Sequence, residues 1–181
     1  VIHEFGLPHE YPEDALAEAR IEAENFDETD LEGREDLTGE TIVTIDPATG
    51  AVTVKATLAA DAADTTAPFA AIGGTAFAVD FNPVADRLRV ISDLGQSLRI
   101  NVDTGATTTD GAINRAGAAP VVTAAAYTNS FAGTTATSLF DIDSASDTLA
   151  LQNPPNDGTL ASVGALGLDV AGDVGIDIAG G

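Results

Sequence analysis

Residues 77–105 read F-A-V-D-F-N-P-V-A-D-R-L-R-V-I-S-D-L-G-Q-S-L-R-I-N-V-D-T-G. The stretch decides the fold because its apolar period is two. Phe77, Val79 and Phe81 alternate with Ala78 and Asp80. Leu88 and Val90 alternate with Arg87 and Arg89, and Leu98, Ile100 and Val102 with Arg99 and Asn101. Successive side chains of a strand point to opposite faces, so each run reads as a half-buried strand. N-P-V-A-D, S-D-L-G and D-T-G end the runs with turn residues, so the strands follow one another hairpin by hairpin.

The same grammar extends outward. Val52, Val54, Ala56 and Leu58 alternate with Thr53, Lys55 and Thr57. A loose repeat joins I-V-T-I-D-P-A-T-G-A-V-T-V, L-R-I-N-V-D-T-G-A-T-T-T and L-F-D-I-D-S-A-S-D-T-L-A-L. In each, an apolar strand ends in Asp, a short turn follows and a second strand returns. An aspartate starts such turns by accepting from backbone amides ahead of it, and Gly50 or Gly105 takes the left-handed position. The turn aspartates Asp46, Asp103 and Asp143 are 57 and 40 residues apart, near the spacing of propeller blades. Three copies are too few to close a usual propeller. The expected fold is mainly β: antiparallel, propeller-like hairpin repeats, incomplete or open, behind one short N-terminal α-helix.

That helix is Y-P-E-D-A-L-A-E-A-R-I-E-A-E-N-F, residues 11–26. Pro12 suits the first helical position, with Glu13 and Asp14 at the positive end of the dipole. Leu16, Ala19, Ala23 and Phe26 form a narrow apolar stripe, opposed by like charges four apart at Asp14, Glu18 and Glu22. Residues 27–40 read as an acidic linker. Charge breaks at the same place: residues 1–46 carry 15 carboxylates against two Arg, whereas residues 47–181 carry 14 against five basic side chains. The reading is a weakly ordered segment over 1–40 and a β-repeat domain over 41–181.

Composition narrows the function. Of the 181 residues 33 are Ala, with no Trp, Met or Cys, so large side chains that supply most burial energy are scarce. The absence of Cys removes disulfides, thiolate metal sites and Cys nucleophiles, and leaves the compartment open. No apolar run approaches the ~20 residues of a membrane span, and no charged-then-apolar leader is seen. A net charge of −22 disfavours nucleic acid and anionic membranes as partners. No Ser-His-Asp set is credible, because His3 and His9 both lie in the front segment and no G-x-S-x-G elbow occurs. No phosphate-binding loop and no cofactor motif occurs either, so the expectation is a domain that is not an enzyme.

Two groups remain as candidates. Arg87, Arg89 and Arg99, with Asp80, lie on the polar side of three adjacent strands. They form either an anion-binding patch or cross-strand ion pairs, and the second reading is preferred. Asp141, Asp143 and Asp147 cluster near one turn in part as a calcium loop would. Ala145 stands at the fifth position and no Gly or Glu follows in place, so a strand end with an Asp-initiated turn is preferred.

Two resemblances appear in these residues. V-I-H-E-F-G-L-P-H-E-Y-P-E-D, G-R-E-D-L and T-I-D-P, over about residues 1–49, resemble the ribonuclease R/II family just before its catalytic domain. The resemblance implies that Asp46 would join further aspartates to bind Mg²⁺. At the corresponding positions stand Val52, Val54 and Lys55, which cannot supply the converging carboxylates that two-metal hydrolysis needs. From about residue 44 to 181 the chain resembles a bacterial domain-of-unknown-function family with β-propeller-like repeats. The matching text is V-D-F-N-P-V-A-D-R-L-R-V, A-A-A-Y-T-N-S-F-A-G and L-Q-N-P-P-N-D-G-T-L. The change of resemblance inside the shared T-I-D-P phrase is what a recombined or designed chain would show. The functional expectation is a non-catalytic binding or scaffold domain of unknown ligand, prone to self-association through exposed strand edges.

Overall fold

The computed structural model describes residues 40–117, 119–172 and 174–180, together with Glu13, Ala17, Arg20 and Ile21. The chain divides into two compact units, Val1–Asp36 and Leu37–Gly181. The expected helix over 11–26, apart from those four positions, and both histidines lie outside the described residues. No helix among the described residues is long and apolar enough to cross a membrane.

The second unit is mainly β. Its strands are β1 (Thr41–Ile45), β2 (Val52–Thr57), β3 (Ala59–Ala60), β4 (Phe77–Asn82), β5 (Arg87–Ser92) and β6 (Ser97–Ile100). They continue with β7 (Ala106–Thr109), β8 (Val122–Tyr127), β9 (Leu139–Asp143), β10 (Thr148–Gln152) and β11 (Leu160–Ala165). A 3₁₀ turn at Pro155–Asp157 separates the last two. β1 and β2 form a hairpin; β4 to β7 and β8 to β11 form two antiparallel meanders in chain order. Alternation and turn chemistry explain this locally. Asn82 Oδ1 accepts from the amides of Val84 and Ala85, both at 2.9 Å, and so bends the N-P-V-A-D turn.

One pairing departs from the expected antiparallel rule. β3 lies parallel to β7, at the edge of the sheet opposite β4. Parallel neighbours need a crossover. Residues 61–76 supply it, and their Phe69 and Ile72 join the apolar cluster formed by Val90, Leu98 and Ile100.

The turn aspartates are not equivalent repeats either. Asp46 accepts from the Ala48 amide at 2.8 Å and Asp143 from the Ala145 amide at 3.1 Å, as turn initiators should. In the third turn that acceptor is Asn101, which bonds the Asp103 amide at 3.0 Å. Asp103 itself pairs with Lys55 at 2.7 Å. Asp46 joins a separate hairpin, Asn101 the last hairpin of one meander and Asp143 the middle hairpin of the other. The shared text thus reports hairpins rather than the order of strands within a sheet. The meanders begin at Phe77 and Val122, 45 positions apart.

Two apolar layers hold the unit. Ala78 and Ile91 of the five-stranded sheet pack against Val122, Ala125, Tyr127, Leu139, Ala150 and Leu160 of the four-stranded one. On the outer face Phe69, Val90, Leu98 and Ile100 cluster with the half-buried Ile42, Leu58, Ile72 and Leu88. Each fully buried large side chain contributes roughly 1.5–3 kcal/mol. The Ala-rich strand β8 is buried along its whole length, which lets the two sheets approach closely.

Candidate functional site

The antiparallel register sets Asp80 opposite Arg89, and Arg89 opposite Arg99, in one row across β4, β5 and β6. The polar side of these strands is therefore a shared face, and it turns toward the four-stranded sheet. Arg89 is only 1% exposed. Its Nη1 donates to Asp110 Oδ2 at 2.6 Å and to Ser97 Oγ at 3.0 Å. Nη2 donates to Asn156 Oδ1 at 2.8 Å, and Nε to the Tyr127 hydroxyl at 3.2 Å. Arg99 grips the same carboxylate twice, Nε to Oδ2 at 2.7 Å and Nη2 to Oδ1 at 2.9 Å. The bonds to Asp110 raise the Arg99 pKa above its ordinary value against the opposing effect of burial. Asp80 accepts from the Tyr127 amide at 2.6 Å, which pins β4 to β8.

Arg89 and Arg99 thus meet at one internal carboxylate, Asp110, contributed by the segment after β7. Arg87 does not join them; its Nη1 donates to the backbone oxygen of Asp86 at 2.7 Å. The preferred ion-pairing reading fits Arg89 and Arg99 in kind, although their partner is a loop residue rather than a neighbour across the ladder. Buried pairs of this sort contribute little over apolar replacements but are strongly destabilising when half is removed.

Beside this cluster opens a polar cleft of about 470 Å³, lined in part by Asp61, Asp64, Arg99, Thr108, Asp110 and Asn156. Its carboxylates are already engaged, Asp110 by the two arginines and the others by amides and a hydroxyl. Asp61 accepts from the Ala63 amide at 2.9 Å and the Thr108 hydroxyl at 3.2 Å. Asp64 accepts from the Thr109 amide at 3.0 Å and the Ala67 amide at 3.2 Å. These donors, Thr109 first, hold the Asp64 carboxyl below the usual range. Arg99 is the cation lining the cleft.

Asp141, Asp143 and Asp147 do not converge. Asp143 is tied to Arg115 Nη1 at 2.8 Å, the Ser146 hydroxyl at 2.7 Å and the Val121 amide at 3.0 Å. Asp147 accepts from the Val170 amide at 2.9 Å. Asp141 is 0% exposed and neither of its oxygens has a hydrogen-bond partner. Burial raises its pKa to about 7, with the nearby Arg89 charge acting in the opposite direction. Among the described residues no group of three or more His, Cys, Asp or Glu side chains could hold a metal ion.

A second cleft, apolar and about 440 Å³, lies on the outer face of the five-stranded sheet over Ile42, Leu58, Ile72, Phe77, Val79 and Leu88. Phe77 and Val79 in its lining and Phe81 farther along β4 are 40, 52 and 47% exposed.

Asp110 and Asn156 were missing from the sequence-based candidates. Asn156 lies in L-Q-N-P-P-N-D-G-T-L and Tyr127 in A-A-A-Y-T-N-S-F-A-G, motifs singled out for resemblance alone. The loop carrying Asn156 docks on residues 110–114 through bonds from the Gly111 amide to Asn156 O and from the Asn114 amide to Gly158 O. Gly158 sits at φ +68, and a Cβ there would come within 2.4 Å of Ala112 O. Only glycine permits that approach.

Comparison with curated proteins and with solved structures gave no match. A family model does match, over residues 37–181. It begins a few residues before the text that suggested the relationship, and it takes in the T-I-D-P hairpin. The chain therefore belongs to the family described as domain of unknown function (DUF4394).

Proposed function

We propose that the second unit is a non-catalytic binding or scaffold domain that engages a partner through the outer face of β4 and β5. The observation that carries this reading is the row Phe77, Val79, Phe81, exposed on one face beside the apolar cleft. Contiguous exposed apolar surface of this kind marks interaction sites. The charged groups best suited to chemistry are engaged elsewhere, since Arg89, Arg99 and Asp110 hold the fold together. With a net charge of −22, long-range attraction favours a partner that surrounds an apolar contact segment with basic residues. Like charge works against nucleic acid and against self-association at low salt.

The two meanders are read as consecutive blades of a propeller-type array. Each runs through its four strands in chain order, and the first strands, β4 and β8, lie side by side. The ribonuclease-like text of residues 1–49 is read as the origin of that segment, through recombination or design, and not as an activity. In favour of this, Asp46 serves a turn and Lys55 pairs with Asp103.

The test is titration of the full chain with an apolar fluorescent dye, anilinonaphthalene sulfonate, beside sedimentation velocity. Binding should be saturable, and Val79→Thr should weaken it severalfold without lowering Tm. Dye binding unchanged by Val79→Thr, or absent from the native chain, overturns the reading. Association that grows with salt and disappears in the variant would identify a second copy as the occupant instead.

A further inference from the structure

Asp141 lies on the face of β9 that meets the five-stranded sheet, directly opposite Ala125 of β8 and Ala150 of β10. Those side chains offer no donor, and both carboxyl oxygens are buried without one. Neither cleft described above reaches it. An ionised carboxylate so placed has one source of relief, the charge of Arg89. Arg89 is already committed to Asp110, Asn156, Ser97 and Tyr127. A proton is the species that can neutralise Asp141 without needing space or a donor.

We propose that Asp141 is a proton-controlled latch in the layer between the two sheets. Neutral, it leaves Arg89 on Asp110; ionised, it competes for Arg89, draws it from Asp110 and Tyr127, and loosens the floor of the polar cleft. The groups around it are consistent with this competition. The five-stranded sheet and its exit present Arg89, Asp80, Arg99 and Asp110, and β8 presents Tyr127. β9 itself adds Asp143, held by Arg115, while β10 and β11 carry no titratable side chain. Among the described residues Arg89 is thus the cation for which Asp141 and Asp110 contend. The inference goes beyond the binding reading and does not depend on it.

The chain contains two tyrosines, Tyr11 and Tyr127, and no Trp. In a Tyr11→Phe background, tyrosine fluorescence therefore reports the ring that touches Arg89. Titrating that protein across about pH 5 to 9 should show a one-proton inflection, and Asp141→Asn should abolish it. Carbon NMR of the Asp141 carboxyl should give the same midpoint in the unmutated chain. A fluorescence trace without an inflection in this range overturns the latch, as does an inflection that survives in Asp141→Asn. Should the Asn variant not fold, Asp141→Ala, which extends the flanking alanines, replaces it; carboxyl and fluorescence midpoints that differ also overturn the latch, because Asp141 and Tyr127 then do not move together.

Discussion

On the inner face of the five-stranded sheet Arg89 is 1% exposed, whereas on the outer face Val79 is 52% exposed. The two residues lie on neighbouring strands, one register step apart. Alternation separated their faces correctly, since Asp80, Arg89 and Arg99 share one side and Phe77, Val79 and Phe81 the other. It did not say which side would meet water. The charged side became the seam between two sheets because each charge found a partner there. The apolar side is covered by the crossover over residues 61–76 and by β1, but this cover leaves the β4 end open. A buried charge with partners is tolerable, and an exposed apolar row is a contact surface awaiting one.

The largest effect that would break this contrast comes from Arg89. Arg89→Met leaves Asn156 and Tyr127 without their guanidinium partner and Asp110 with Arg99 alone, and should destabilise the chain by about 3–5 kcal/mol in urea unfolding. A loss below about 1 kcal/mol would mean that the seam is wetter than its geometry implies.

Next in size is Asp141, with a definite sign. Its folded pKa of about 7 lies above the ordinary carboxylate value, so the folded chain holds a proton that the unfolded chain has released. Stability is then highest below about pH 4 as far as this group is concerned, falls as pH rises toward 7, and levels off above it. Asp141→Asn should therefore stabilise the protein at pH 8, by on the order of 4 kcal/mol at most, and hardly at all near pH 4. Equal gains at both pH values would contradict an ionising seam.

Gly158→Ala sharpens the comparison from the loop side. The added methyl meets Ala112 O in a left-handed backbone position, so about 1–3 kcal/mol should be lost as the Asn156 loop lifts from the seam. Hydrogen exchange at Gly111 should rise with it. On the outer face, Phe81→Ser should change stability by no more than about 0.5 kcal/mol while reducing dye binding. A large destabilisation would show that this face is covered in the native chain. The smallest effect belongs to Lys55→Ala, whose pair with Asp103 is largely exposed; Tm should not move measurably, even at low salt.

Much of the site was legible in part. The row of Asp80, Arg89 and Arg99 followed from period two, and the turn roles of Asp46 and Asp143 from the chemistry of a short carboxylate ahead of free amides. Asp110 and Asn156 were not legible. They lie outside periodic segments, 21 and 67 positions from Arg89, and nothing local marks a loop carboxylate or amide as the partner of a distant guanidinium. Asp141 was noticed for the wrong neighbours. Its spacing to Asp143 and Asp147 raised a shared ion only as the less preferred reading beside a strand end, whereas the strand sends it into a layer where the charge acting on it, Arg89, is on another sheet.

From the sequence alone came the β class, the hairpins, the turn roles of Asp46 and Asp143, the two faces of β4, β5 and β6 and the family, because these depend on interactions within a few residues or on extended matching text. Tertiary structure decided the parallel pairing of β3 with β7, the choice of buried face and the two-arginine grip on Asp110. Those depend on which sheet packs on which. That packing balances the desolvation of a few charged groups against partners brought from far along the chain, and no local pattern encodes the balance.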